Sequence, residues 1–324
     1  MKKSKLVLMC AMFAPVMAQA AEVKDMSFNG FVDIVWTLSD GTDEIPSDEG
    51  QFDTSGELDM KTTLQGPMSL RVDADLNPSQ AGSGDSGRLE QAFLNWAINP
   101  NLGLKAGAFN NNLTFEKEDA PDMYQITHGQ LYDVWNESTD LDGNNLAGLE
   151  VSYTTGIITA MVGYLNDIGN APEENSVKVA AEIRPAQGLN VVVGLITQDQ
   201  DVSPFLGNII DVNATWKMDN RLTLGGEILL PDETIDSGFM VMANYQVQKD
   251  FSATARYDMV SYDIPGADDT TSITLAGLYT ISDGLYANGE IRFNSDDNVP
   301  TVATTYGIGE GDGTTARLEL LATF

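Results

Sequence analysis

From position 28 onward the chain is a succession of short segments in which apolar and polar residues alternate. In the first, Phe28, Gly30, Val32, Ile34 and Trp36 share one face, and Asn29, Asp33 and Thr37 the other. Period two over this length predicts a strand with one wet side. Leu58, Met60, Thr62 and Leu64 then oppose Glu57, Asp59, Lys61 and Thr63, and after Gln65-Gly66-Pro67 the residues Leu70, Val72, Ala74 and Leu76 oppose Arg71, Asp73 and Asp75. The rhythm recurs at 88–98, 102–108, 149–153, 157–165, 177–183, 189–195, 210–216, 222–230, 239–247, 251–259, 273–279, 285–293 and 318–324. That makes about sixteen strands, most near the nine to eleven residues that cross a bilayer at a tilt.

The connections between them are sorted. Every second one is tight, at Gly66, Pro100, Gly156, Pro185, Asp219, Lys249 and Asp283, and the intervening ones are long, acidic and rich in Gly and Asp. Short turns at one rim and long loops at the other are the pattern of a membrane barrel, whereas a soluble sandwich has no reason to sort them. Trp36, Trp96, Tyr153, Trp216, Tyr245, Phe251, Tyr257, Tyr279 and Phe293 fall near strand ends on apolar faces, as interfacial girdles require. The expected fold is all-β: a transmembrane antiparallel β-barrel with lipid outside and water within. Phe324, in phase with Leu318, Leu320 and Ala322, closes the last strand.

Residues 1–20 read as a secretory signal peptide: Met1-Lys2-Lys3-Ser4-Lys5, an apolar stretch to Met17, and Ala18-Gln19-Ala20 as the cleavage site. Residues 21–324 form the barrel. Cys10 lies in the leader and is the single cysteine, so the mature chain has no thiol for disulfides, metal or nucleophilic work. Loss of Lys2, Lys3 and Lys5 with the leader takes the formal charge from -31 to -34. Such a balance disfavours nucleic acid and favours cations.

Three stretches carry a family resemblance: Phe28-Asn29-Gly30-Phe31-Val32-Asp33; Leu89-Glu90-Gln91-Ala92-Phe93 through Trp96; and Leu102 to Phe109 leading into Phe115-Glu116-Lys117-Glu118-Asp119-Ala120-Pro121. They resemble the OmpL-like β-barrel porins and, more distantly, the general Gram-negative diffusion porins. The resemblance implies a barrel in the outer membrane, in contact with its lipid, that passes small hydrophilic solutes. By analogy with the general porins it implies a homotrimer, and a loop after the fifth strand that folds inward to constrict the pore. Residues 110–147 occupy that place. Of the general porins' Pro-Glu-Phe-Gly loop signature only Phe115-Glu116 has a counterpart.

The polar faces then line the lumen, with Asp33, Asp73, Lys61, Arg71, Lys105, Arg256 and Arg292 among the wall charges and acid and base nearly balanced. Excess acid sits in the long loop. Glu116, Glu118, Asp119 and Asp122 are the expected constriction residues, and a ring of one sign predicts cation preference. Asp140-x-Asp142-x-Asn144 has Ca2+-like spacing, but Asn145 stands where a glycine belongs and no Glu closes the set, so no metal site is expected there. His128, the single histidine, reads as a packing or surface residue. One His and no G-x-S-x-G stretch argue against a barrel-bound hydrolase, and no cofactor is implied. The alternative to a channel is a surface protein, an adhesin or phage receptor, with a plugged lumen. Conductance separates the two.

Overall fold

The computed structural model describes residues 22–40, 50–77, 87–138, 144–168, 174–198, 207–295 and 312–324. The leader (1–20) and Asp140 and Asp142 lie outside them. Among the described residues are β1 (Val23–Asp40), β2 (Gln51–Leu64), β3 (Met68–Leu76), β4 (Gly87–Ala97), β5 (Leu102–Asn110), α1 (Gln130–Ser138), β6 (Asn145–Thr155), β7 (Ile158–Asn166) and β8 (Asn175–Ala186). They continue with β9 (Leu189–Ile196), β10 (Ile209–Lys217), β11 (Leu222–Pro231), β12 (Ile235–Gln248), β13 (Phe251–Tyr262), β14 (Thr270–Ser282), β15 (Leu285–Ser295) and β16 (Gly313–Thr323). The sixteen strands form one closed antiparallel barrel in which each pairs with its neighbours in sequence and β1 with β16. No helix among the described residues is long and apolar enough to cross a membrane.

Alternation decides which way each side chain points. Val32, Leu58, Val151, Val179, Ile210, Val241, Ile273 and Leu318 face outward and are exposed, as a lipid-facing belt requires. Trp96, Tyr153, Trp216, Tyr245 and Tyr279 ring the turn rim, and Phe52, Tyr164, Phe239 and Phe293 the loop rim, all exposed. Trp36, Phe251 and Tyr257 are half-buried.

The seam between the chain ends is made by backbone. Gly30 N donates to Phe324 O at 3.1 Å and Phe324 N to Gly30 O at 3.0 Å. A Cβ on Gly30 would meet the carbonyl of Glu57 and, at 2.9 Å, the Phe324 ring, so the terminal aromatic has its seat only because position 30 is glycine.

Three expectations about the connections change. β6 begins at Asn145, three residues inside the expected loop, because Asn145 to Ala147 pair with Asn110 to Ala108. Pro185 lies within β8, and the chain turns at Gln187-Gly188, where Gly188 holds a φ of 77°. The β11–β12 connection, Asp232 to Thr234, is short although it lies at the loop rim. Asp232 ties it down by accepting from Asn208 N at 2.6 Å and Nδ2 at 2.8 Å.

Candidate functional site: a loop across the lumen

The segment between β5 and β6 enters the barrel. Asn111 N donates to Asn144 O at 3.0 Å and closes its base. Leu113 and Phe115 then turn toward β9–β11. Gly194 and Gly225 leave the room: a Cβ at either would collide with the Leu113 side chain or the Phe115 ring. Asn213 on β10 donates from Nδ2 to the Leu113 carbonyl. Farther along, α1 presents Leu131, Val134 and Trp135 on one face, the i, i+3, i+4 stripe of an amphipathic helix, and all three are buried. They join Met161, Leu165, Val192, Ile196, Ile209, Leu229, Met240, Met242 and Val260 in one apolar cluster inside the barrel. The wall was expected to carry acid and base in near balance. On β7–β13, toward the loop rim, buried Lys178, Asp211, Glu227, Arg256 and Asp258 stand among aliphatic side chains that receive the loop.

Polar anchors complete the attachment. Arg256 on β13 is 2% exposed. Its Nη1 donates to Glu116 Oε1 at 2.7 Å and Thr127 O at 2.8 Å, its Nη2 to His128 O at 3.0 Å and Thr274 Oγ1 at 3.1 Å, and its Nε to Asp258 Oδ2 at 3.0 Å. Arg292 Nη1 donates to the same His128 carbonyl at 3.1 Å. Glu290 accepts from Ile126 N at 2.8 Å and Thr127 N at 3.1 Å, and Asp258 accepts from Gln130 N at 2.9 Å at the start of α1. His128 stacks on Tyr132 with ring centroids 3.8 Å apart, a packing role.

The opposite wall, β1–β5, is charged. At its centre Arg71 pairs through Nε with Asp73 Oδ2, and through Nη2 with Asp59 Oδ1 at 2.7 Å, Glu57 Oε1 at 3.7 Å and the loop's Asp119 Oδ2 at 3.9 Å. Gln91 Nε2 donates to Asp73 Oδ2 at 2.7 Å. Lys105 lies 4.8 Å from the Phe109 ring centroid, and its Nζ is 4.0 Å from Glu150 Oε1. Two cavities flank this point. One, of about 530 Å³, opens toward the turn rim past Lys61, Thr63 and Asn95. The other, of about 220 Å³, continues past Gln91, Lys105, Lys117 and Glu118; Arg71 and Phe93 line both.

The expected constriction residues therefore separate. Glu116 is buried and bound to Arg256, Gln125 and the Gly129 N–H, which makes it part of the loop's anchorage. Glu118 and Asp119 face the β2–β4 wall, and Asp122 is exposed in the 3-10 turn Ala120–Asp122. Burial first, then the charges of Glu90, Asp75 and Asp119, push the Glu118 carboxyl up to about 8, with Arg88 opposing. Burial likewise raises Asp119, opposed by its hydrogen bond with Glu57 and the charge of Arg71. Of the wall residues, Arg71, Asp73 and Lys105 line the β3–β5 side, Lys61 is exposed toward the turn rim, and Arg256 and Arg292 hold the loop. Asp33 lies on β1, hydrogen-bonded with Glu319.

Strict alternation misses Glu90, and it puts Glu150, between outward Leu149 and Val151, on the inward face without marking it as an ion-pair partner. The β3–β4 register shifts between Asp73 and Ala74, so Glu90 is an extra residue, and both it and Gln91 are buried against the lumen. Glu150 accepts an ion pair from the fully buried Lys178 at 2.7 Å. The clue to the apolar seat was present in the inward glycines and in doubled aliphatics such as Ile209-Ile210 and Leu229-Leu230.

A family model described as "Putative beta-barrel porin-2, OmpL-like" matches residues 54–324. No curated protein matches the chain. Among solved structures, OmpF of Salmonella typhi in complex with daunomycin superimposes with a TM-score of 0.71 at 12% identity, covering 92% of this chain and 97% of that one. An engineered mutant of the Rh. blastica porin gives a TM-score of 0.63 at 14% identity over 93% of this chain and 100% of the other. At these identities the likeness is one of fold.

Proposed function

The chain belongs to the OmpL-like β-barrel porin-2 family, and from that membership we propose a passive diffusion channel of the Gram-negative outer membrane, taking small hydrophilic solutes and preferring cations. A porin-like channel follows from family and fold. Its selectivity is read from the wall. The observation that carries the reading is the acid excess around Arg71: Glu57, Asp59, Asp73, Asp75 and Glu90 on the barrel and Glu118 and Asp119 on the loop surround a single pairing guanidinium, with Arg88 at the margin. A constriction ringed by one sign of charge concentrates ions of the other. Lys61, Lys105 and Lys117 along the same path add a transverse field that favours polar solutes over apolar ones.

The test is a reversal potential across a planar bilayer under a KCl gradient, for the wild type and for Glu118→Gln/Asp119→Asn/Asp122→Asn. The cation-to-anion permeability ratio should exceed one and fall in the triple variant. An unchanged ratio removes the loop from selectivity, and an absence of steady conductance removes the channel and returns the adhesin or receptor alternative.

A further inference from the structure

Next to the Arg71 cluster is a second set of carboxylates. Glu57 on β2, Asp75 on β3 and Glu90 on β4 each bring one carboxylate oxygen to within 4.8 Å of the other two. Glu57 and Asp75 are direct partners across the β2–β3 ladder, and Glu90 is the residue added by the β4 bulge. Two oxygens on opposite sides of a calcium ion stand about 4.6–5.2 Å apart, since each bond is about 2.3–2.6 Å. The spacing fits.

The neighbouring set of Glu57, Asp59 and Asp73 also meets that spacing, but it already has its cation. Arg71 bonds Asp59 and Asp73 directly and stays 3.7 Å from Glu57 Oε1. At the second set, Asp75 has Arg88 at 3.5 Å, and Glu90 receives one hydrogen bond, from Asn145 Nδ2 to Oε1 at 3.0 Å. Glu90 Oε2 and Glu57 Oε1 have no hydrogen-bond donor, although their residues are only 5% and 4% exposed. Glu118 Oε2 and Asp119 Oδ1 on the loop are likewise buried without a donor. An anionic oxygen held out of water with no donor is costly, and a cation seated among several such oxygens relieves that cost at each of them. The donors are oxygen alone and carboxylate alone, which selects a hard divalent ion. Side chains from three separate strands do not impose the strict octahedron magnesium demands, whereas calcium accepts irregular and bidentate carboxylate shells.

We propose that Glu57, Asp75 and Glu90 form a calcium site in the wall of the constriction, and that its occupancy lowers the cation preference of the channel by cancelling local negative charge. The site stands on geometry alone; its effect on conduction rests on the channel reading.

The experiment uses the detergent-solubilised full-length mature barrel, stripped with EDTA and titrated with CaCl2 by calorimetry in about 0.1 M KCl, which screens diffuse binding to the acidic loops. Wild type should show a saturable calcium isotherm, weaker for MgCl2, and Glu57→Gln/Glu90→Gln should bind at least about tenfold more weakly. That pair removes like-charge repulsion, so the barrel should fold, as circular dichroism checks. A second readout needs no variant: calcium, but not magnesium, should raise the melting temperature of the stripped wild type. No calcium isotherm and no thermal shift in the wild type, or equal binding by the double variant, overturns the site. Calcium binding in a protein that never conducts sinks the channel and leaves the site standing, and conduction without calcium binding does the reverse.

Discussion

The two halves of the lumen are built from different chemistry although the same alternating strands supply both. Along β7–β13, toward the loop rim, glycines and aliphatic side chains such as Gly194, Ile196, Leu229 and Met240 stand among buried polar groups, Lys178, Asp211, Glu227, Arg256 and Asp258, and Leu113, Phe115, Leu131 and Trp135 are buried against the apolar ones. Along β1–β5 the inward positions are Glu57, Asp59, Arg71, Asp73, Asp75 and Glu90, and the flanking cavities open there. The first half seats the loop as a core seats a helix, and the second gathers carboxylates around Arg71 beside the two cavities. A wide barrel would otherwise leave an open channel. Here the bore is set by how much of the interior the loop fills.

The comparison breaks most sharply at Arg256. Arg256→Met leaves Glu116 and Asp258 buried without their cation, a loss of about 3–5 kcal/mol for a broken buried pair. Urea unfolding followed by Trp135 fluorescence should show that loss, and bilayer recordings should show larger, noisier openings as the loop detaches. Gly225→Leu attacks the apolar attachment alone. Overpacking against Phe115 should cost about 1–3 kcal/mol and loosen the loop while leaving selectivity near wild type. Arg71→Gln acts only on the charged half. Removing one positive charge beside the path is worth about 1 kcal/mol at 4 Å in water, so the cation-to-anion ratio should rise about fivefold at low salt, and less in strong salt.

The smallest effect is a titration. Because Glu118 is held up to about 8, it is largely neutral below that pH and gains its charge as pH rises through it. In EDTA-containing buffer the cation preference should therefore climb between about pH 7 and 9, by less than the Arg71→Gln effect. A flat profile, or a fall, would separate Glu118 from the conduction path.

The charged half was legible in the sequence because period two held there. Arg71, Asp73 and Lys105 face inward as alternation requires, and the sorted connections placed the loop rim. The apolar half hid for the opposite reason. At Val191-Val192-Val193 or Leu229-Leu230 both faces are greasy, and periodicity cannot say that one of them meets a loop instead of lipid. The acid run of the loop was visible, but the partition of its members was not. Glu116 is bound to a residue 140 positions away, and only tertiary contact distinguishes it from Glu118 two residues on. Glu90 escaped through one bulge, a local irregularity that alternation has no means to register.

The bond pattern at Gly30 and Phe324 has one more consequence. Every other ladder in the wall joins strands that are neighbours along the chain, so those hairpins can zip locally, while this single pairing must bring the two ends of the polypeptide together. Long-range pairing of this kind is the slow part of assembly. A circular permutant with its ends fused and new ends opened at the Gly156 turn would keep the same cylinder but move the late step to β6–β7, and its insertion rate would report which ladder the membrane waits for.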